Sequence, residues 1–207
     1  MSIDFKNIDC MEYMRSVPDQ YFDLAIVDPP YGIGKRLSDG GGKLKNTPMA
    51  RLYKNKDWDV LPTSEYWYHL FRVSKNQIVF GSNYFIEYLH SSRGIICWDK
   101  KQDMPTLSSC ELVWTSFDKP AKIYRKSSMD LNRIHPTQKP VKLYEWILSN
   151  YAKTGDKILD THGGSMSSAI ACYNMGFDLV ICELDKDYFD AGKARFENHI
   201  KQIRMVV

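Results

Sequence analysis

The 207-residue sequence predicts an α/β protein with an open, doubly wound, mostly parallel sheet and helices on both faces. Three observations predict it. Short apolar runs without polar alternation recur along the chain, as expected of strands buried on both sides. Segments of helical periodicity separate several of these runs, the pattern of a wound parallel sheet. Two runs, 94–98 and 111–115, follow one another with no clear helix between them, which predicts an antiparallel piece at one edge.

The elements follow in chain order. "LAIV" (24–27) reads as a buried parallel strand, and it ends on "DPPYG", where Pro29 and Pro30 supply no backbone N–H and hold the exit stiffly extended. A helix is expected over 64–74, opening on Ser64 as cap, with Tyr68, Phe71 and Arg72 near one face. Strands follow at 77–80, 94–98 and 111–115. "HPTQKP" (135–140) leads into a helix over 142–152, with Thr137 as the candidate cap of a helix beginning at about Pro140. A strand at 157–159, a helix at 167–175, a strand at 179–182 and a helix at 186–200 complete the set.

Composition narrows the class. With 43% hydrophobic and 26% charged residues, the chain suits one ordinary globular domain, 1–207, without an internal linker or repeat. The opening "MSIDFKNIDC" lacks a basic region followed by an apolar run, and no run reaches the roughly 20 apolar residues of a bilayer span. Cys10, Cys97, Cys110, Cys172 and Cys182 are scattered, without C-x-x-C spacing, so a zinc site or disulfide framework is not expected. No ligand cluster for a metal is evident. A reducing, cytoplasmic setting follows as the expectation.

The net charge of +3 conceals two basic islands. Residues 32–62 carry seven Lys/Arg against Asp39, Asp57 and Asp59, and residues 119–142 carry seven against Asp130 alone. The rest of the chain is acidic, so the islands read as a polyanion footprint or as solvated loops. The glycine-rich 32–62 segment is expected to be a long mobile basic loop. With 117–134 it forms the candidate pair of polyanion-contacting insertions, and Lys35, Arg36, Lys43, Lys45, Lys122, Arg125 and Lys126 are the candidate phosphate contacts.

"DKILDTHGGSMSSAIA" (156–171) is a strand, a glycine turn and a helix. Gly163 and Gly164 allow a tight turn and close backbone approach to a ligand. Glu183 follows at the end of the next strand, the place from which an acid accepts hydrogen bonds from adenosine ribose hydroxyls. No G-x-G-x-x-G pyrophosphate cradle and no G-x-x-x-x-G-K-[ST] loop accompany it, so a phosphate-free adenosine cofactor, S-adenosylmethionine, fits better than a dinucleotide.

Taken together, "VPDQYFDLAIVDPPYG", "FGSNYF", "IICWDK", "ELVWTS", "HPTQKP", "ILDTHGGS" and "VICELDKDYFDAGKARF" resemble the bacterial and phage DNA amino-methyltransferases of the permuted (β) group. The resemblance covers nearly the whole chain. It implies the Rossmann-like S-adenosylmethionine-dependent methyltransferase fold, with the catalytic half before the cofactor half. It implies a site-specific enzyme that methylates an exocyclic amine of a base flipped out of DNA, by direct in-line transfer. Catalysis would fall to Asp28, Pro29, Pro30 and Tyr31. Asp9 and Cys10 would lie at the cofactor's adenine, and Thr137, Gln138 and Lys139 at its methionine end. Asp28, Asp160, Thr161, His162, Gly163, Gly164, Ser165, Glu183 and Leu184 would complete the cofactor site. His162 reads equally as a ligand contact or as a satisfied turn histidine.

The D-P-P-Y form of the turn is associated with adenine N6; cytosine N4 is the alternative target. A catalytically silent cofactor- or DNA-binding module is the alternative of another class. Amide or RNA methylation with a related turn is disfavoured, because those enzymes usually place the cofactor motifs first. The partner implied is double-stranded DNA; a homodimer and a separately acting restriction nuclease are compatible with it. Two departures stand out: Met166 occupies the place of a family glycine, and no large target-recognition domain fits within the chain.

Overall fold

The computed structural model describes residues 1–33, 59–103, 108–130 and 133–206. Eight strands form one sheet in the order β1-β8-β7-β2-β3-β5-β4-β6. They are β1 (Ile3–Lys6), β2 (Phe22–Val27), β3 (Ser74–Phe80), β4 (Ile95–Asp99), β5 (Cys110–Thr115), β6 (Lys122–Arg125), β7 (Lys157–Asp160) and β8 (Asp178–Cys182). Every pairing is parallel except those of β5, which runs antiparallel to both β3 and β4. The antiparallel strand therefore lies inside the sheet, and the edge beyond it is β6, parallel to β4.

β1 and β6 escape the pattern reading for the same reason: each mixes polar and apolar residues and buries none of them fully, so no apolar run marks it. β1 is recruited by register with β8, Ile3 opposite Leu179 through Lys6 opposite Cys182. β6 is an exposed, charged segment paired with Ile96 to Asp99.

The helices are α1 (Cys10–Ser16), α2 (Ser64–Val73), α3 (Val141–Tyr151), α4 (Ser167–Met175) and α5 (Lys186–Val206). Side chains alternate across the sheet with the period of two that strands impose. Leu24, Ile26, Ile78 and Phe80 join α3, α4 and Phe196 of α5 in one core. Ala25, Val27 and Val79 join Met14 of α1 and Tyr66, Trp67, Leu70 and Val73 of α2 in the other. This is the doubly wound arrangement, with a packed layer on each face.

Two expected caps are not made. Thr63 precedes α2 without a side-chain capping bond, and Ser64 is already helical. Pro140 precedes α3, again with no capping bond, while the Thr137 hydroxyl sits 3.2 Å from His135 Nδ1. Asp9 does cap α1, its carboxylate accepting from Met11 N at 2.8 Å.

The strand order reverses between β2 and β7, for the chain leaves β2 toward β3 and leaves β7 toward β8. The carboxyl ends of these two strands therefore open a crevice, the place where ligands bind in such sheets. β2 delivers Asp28-Pro29-Pro30-Tyr31 there, and β7 delivers Thr161-His162-Gly163-Gly164.

Candidate active site

The crevice is a cavity of about 1100 Å³. It is lined by Asp28 to Tyr31, Asp9, Cys10, Thr137, Gln138, Lys139, Thr161, His162, Gly163, Gly164, Ser165, Glu183 and Leu184. Thus every residue expected at the cofactor is on its wall except Asp160. That residue stands behind the turn, its carboxylate accepting from Ser168 Oγ at 2.5 Å and from His162 N at 3.0 Å. Burial raises its pKa to about 7. Asp160 braces the glycine turn.

The turn itself is fixed by several bonds. Gly163 N donates to Cys182 O at 2.8 Å, and Met166 N donates to Gly163 O at 2.7 Å. Gly164 adopts φ +48, and a Cβ there would find the His135 ring at 3.5 Å, so His135 lies over the turn. The His135 ring also meets Tyr188 edge-on at 4.3 Å. The bonds Ser167 Oγ–H to Lys139 O (2.7 Å) and Arg195 Nη1–H to Ser165 O (2.6 Å) tie the "HPTQKP" segment and α5 to the same corner.

Met166, where the family has a glycine, takes the left-handed backbone conformation at φ 57. A non-glycine residue there costs roughly 1–2 kcal/mol. The fully buried side chain offsets that cost: it packs against Gly163 and Gly192, whose added Cβ atoms would meet Met166 at 2.9 and 2.5 Å.

Glu183 closes the cofactor side. Its Oε2 accepts from Gly164 N and its Oε1 from Asp185 N, each at 2.8 Å. A carboxylate oxygen has a second lone pair, so the group keeps acceptor capacity toward the cavity. Burial raises its pKa against these stabilising bonds. His162 is a satisfied turn residue: its Nδ1 pairs with Thr161 Oγ1 at 2.8 Å, and burial lowers its pKa to about 4. The ring is neutral at pH 7 and still forms part of the cavity wall.

The Asp28 side of the cavity holds more charge than the sequence suggests. Lys139 Nζ bridges Asp28 Oδ2 at 2.5 Å and Glu111 Oε1 at 3.1 Å. Lys100 Nζ meets Glu111 Oε2 at 2.9 Å. The Tyr31 hydroxyl lies 2.6 Å from Asp28 Oδ1 and 2.9 Å from Glu111 Oε1. Burial raises the pKa of Asp28, with Glu111 adding to it and Lys139 opposing. At Glu111, burial acts in the same direction, but the two lysines outweigh it and hold the group below the usual carboxylate range. Burial opposes the charge on Lys139 too, and its two carboxylate partners hold its pKa above that of a free lysine.

Tyr31 is wedged. Its ring stacks on Tyr84 at 4.8 Å, with the planes 13° apart, and meets Phe85 edge-on at 5.9 Å. A Cβ on Gly81, itself at φ +63, would fall 2.3 Å from two Tyr31 ring carbons. Glycine is required there twice over. The aromatic face expected to receive a flipped base is covered by Tyr84 in this conformation.

Lys139 thus sits in the catalytic cluster, while Gln138 is engaged elsewhere: Ile134 N donates to its Oε1 and its Nε2 donates to Asp130. Of the three residues expected at the methionine end, Thr137 alone is exposed. Lys122, Arg125 and Lys126 are exposed on and just after β6, with Arg125 Nε 3.2 Å from Asp99 Oδ2. Lys35, Arg36, Lys43 and Lys45 lie outside the described residues, as does most of the 32–62 loop. Sequence reasoning missed Glu111, Lys100 and Gly81. A charged residue opening the apolar run "ELVWT" was the signal for Glu111.

Known proteins are similar to this chain in sequence and fold. A DNA methylase family, the N6/N4 type, matches residues 97–194, a span that holds the "HPTQKP" segment and the glycine turn. The type II methyltransferase M2.DpnII of Streptococcus pneumoniae is 23% identical over 240 residues, covering 91% of this chain and 87% of its own. The structure of M1.HpyAVI in complex with SAM superposes with a TM-score of 0.62 at 23% identity, covering 94% of this chain and 98% of that one. The cytosine-N4-specific PvuII DNA methyltransferase superposes with a TM-score of 0.67 at 14% identity, over 95% and 86% of the two chains. With the crevice built as described, the chain has the fold of the S-adenosylmethionine-dependent methyltransferases and resembles the bacterial DNA amino-methyltransferases along most of its length.

Proposed function

We propose that this protein transfers a methyl group from S-adenosylmethionine to the exocyclic N6 amino group of adenine in double-stranded DNA. The observation that carries the reading is the meeting, in one cavity, of the Asp28-Pro29-Pro30-Tyr31 turn with the glycine turn and Glu183. The residues fit the cofactor. The cavity suits a nucleoside-sized ligand together with a base. Glu183 is an acceptor held at the end of β8, and Asp9 and Cys10 at the start of α1 are on the same wall.

When bound, S-adenosylmethionine supplies an electrophilic methyl group on a sulfonium. The chain's task is to make an aromatic amine nucleophilic. Such a nitrogen delocalises its lone pair into the ring. Asp28 carboxylate and Pro29 carbonyl, each accepting one amino hydrogen, pull the nitrogen toward a tetrahedral geometry. Pro29 and Pro30 fix that carbonyl in advance, so no reorganisation is needed during reaction. Ionised Asp28 also stabilises the positive charge that grows on the nitrogen. To do so its Oδ2 must exchange Lys139 for the amine, while Oδ1 keeps its contact with Tyr31. A base extruded from the duplex enters beside Tyr31 and displaces Tyr84 from its ring.

The charged acceptor Asp28 favours adenine N6, and the association of D-P-P-Y with adenine supports the same choice. Cytosine N4 is the second reading, favoured by the superposition on the N4-specific PvuII enzyme. Titration calorimetry tests the cofactor half: S-adenosylmethionine should bind the wild type, and Glu183→Gln should bind about tenfold more weakly through loss of a charged acceptor. Equal affinity would remove Glu183 from the ribose site.

A further inference from the structure

We infer that Tyr31 and Glu111 form a proton relay that carries the proton released by the methylated amine away from Asp28. The inference rests on the amine-methyltransferase reading and holds for either base. Its ground is the spacing of three oxygens. The single Tyr31 hydroxyl lies 2.6 Å from Asp28 Oδ1 and 2.9 Å from Glu111 Oε1. One hydroxyl carries one proton and can donate to one carboxylate at a time. Both short contacts are hydrogen bonds together when that hydrogen is shared between the two carboxylates, or when one carboxylate is itself protonated and donates to the tyrosine oxygen. The geometry is built to hold one proton between two carboxylates.

The balance is simple. Attack on the methyl breaks the S–CH3 bond and leaves the amine nitrogen cationic, with one proton too many. Asp28 takes that proton. The Tyr31 hydroxyl then passes its own proton to Glu111 and receives the one on Asp28. Asp28 and Tyr31 return to their starting states, and Glu111 holds the proton. Lys139 and Lys100 hold Glu111 below the usual carboxylate range, so its protonation marks a transient state. Its side chain is 10% exposed and that of Lys100 beside it 17%, which gives the proton an exit to water. Lys139, cationic between the two carboxylates, keeps them from repelling each other apart.

Other titratable groups face the cluster. Tyr144 on α3, Asp160 on β7 and Tyr66 on α2 interact electrostatically with Asp28. None of them bridges the two carboxylates. Glu111 acts on the reaction through Tyr31 and is a positioning residue for the proton.

The test is the steady-state rate of labelled methyl transfer to duplex DNA, which needs Asp28 restored between turnovers, measured beside the single-turnover rate across pH for four chains: wild type, Tyr31→Phe, Glu111→Gln and the double variant. Tyr31→Phe keeps the ring on Gly81 and Tyr84 and removes the hydroxyl alone. The relay predicts a loss of about tenfold to a hundredfold in each single variant. The double variant should be no slower than the slower single one, because both cut the same path. In Glu111→Gln the relay slows the steady-state rate more than the single-turnover rate, whereas a merely bracing role would slow both alike; the loss of its charge should shift the acid limb to lower pH in either case. Tyr31→Phe at the wild-type rate overturns the relay, whatever Glu111→Gln does and even if that variant fails to fold. Losses that multiply in the double variant overturn it as well. A wild-type chain that transfers no methyl overturns the methyltransferase reading and the relay with it, whereas an active wild type with an unaffected Tyr31→Phe overturns the relay alone.

Discussion

Asp160 and His162 form the core of the glycine turn, and they pull the pH dependence of stability in opposite directions. Burial raises Asp160 to about 7, so folding favours its protonated form. That contribution is fully present below about pH 4 and is lost as pH rises through about 7. Burial lowers His162 to about 4, so its contribution is present above about pH 6.5 and is lost as pH falls toward 4. The two changes are of order 4 and 3 kcal/mol and largely cancel between pH 4 and 7. Asp160→Asn removes one arm. Denaturant titrations at each pH should show this variant gaining on the wild type by up to roughly 4 kcal/mol from pH 4 to pH 7. A difference independent of pH would mean that Asp160 is not protonated in the folded chain. Gly81→Ala is the steric counterpart. The added methyl collides with the Tyr31 ring at φ +63, so melting should fall and methyl transfer should fall with it.

Among the elements, β6 carries residues proposed to contact DNA phosphates. Its parallel pairing with β4 brings Arg125 and Lys126 to the same end of the sheet as the crevice. Lys122, Arg125 and Lys126 changed together to Gln should reduce the salt slope of DNA binding by up to about 3, near 0.9 per lost phosphate contact, and leave cofactor affinity unchanged. An unchanged slope would assign the phosphate contacts elsewhere. The element scale also shows what the sequence could reveal. β2, β3, β5, β7 and β8 are legible as apolar runs because both faces of the sheet are covered. β1 and β6 contain no buried apolar run and exist because a neighbouring strand offers a register. The D-P-P-Y and glycine turns were legible as local motifs. Glu111 and Lys100 were not, because their role comes from β5 and β4 pairing antiparallel beside β3, which brings two distant segments to Asp28.

For the molecule as a whole, one crossover decides the function. Winding outward from β2 in one direction and from β7 in the other places two motifs more than a hundred residues apart on a single cavity wall. On the proposed function, this wall joins a methyl donor to a DNA amine. Mass spectrometry of nucleosides digested from duplex DNA incubated with the protein and S-adenosylmethionine tests it most directly. The wild type should yield N6-methyladenine, and Asp28→Ala should yield none while still binding the cofactor. N4-methylcytosine without N6-methyladenine would contradict the choice of base, and no methylated nucleoside at all would contradict the claim itself.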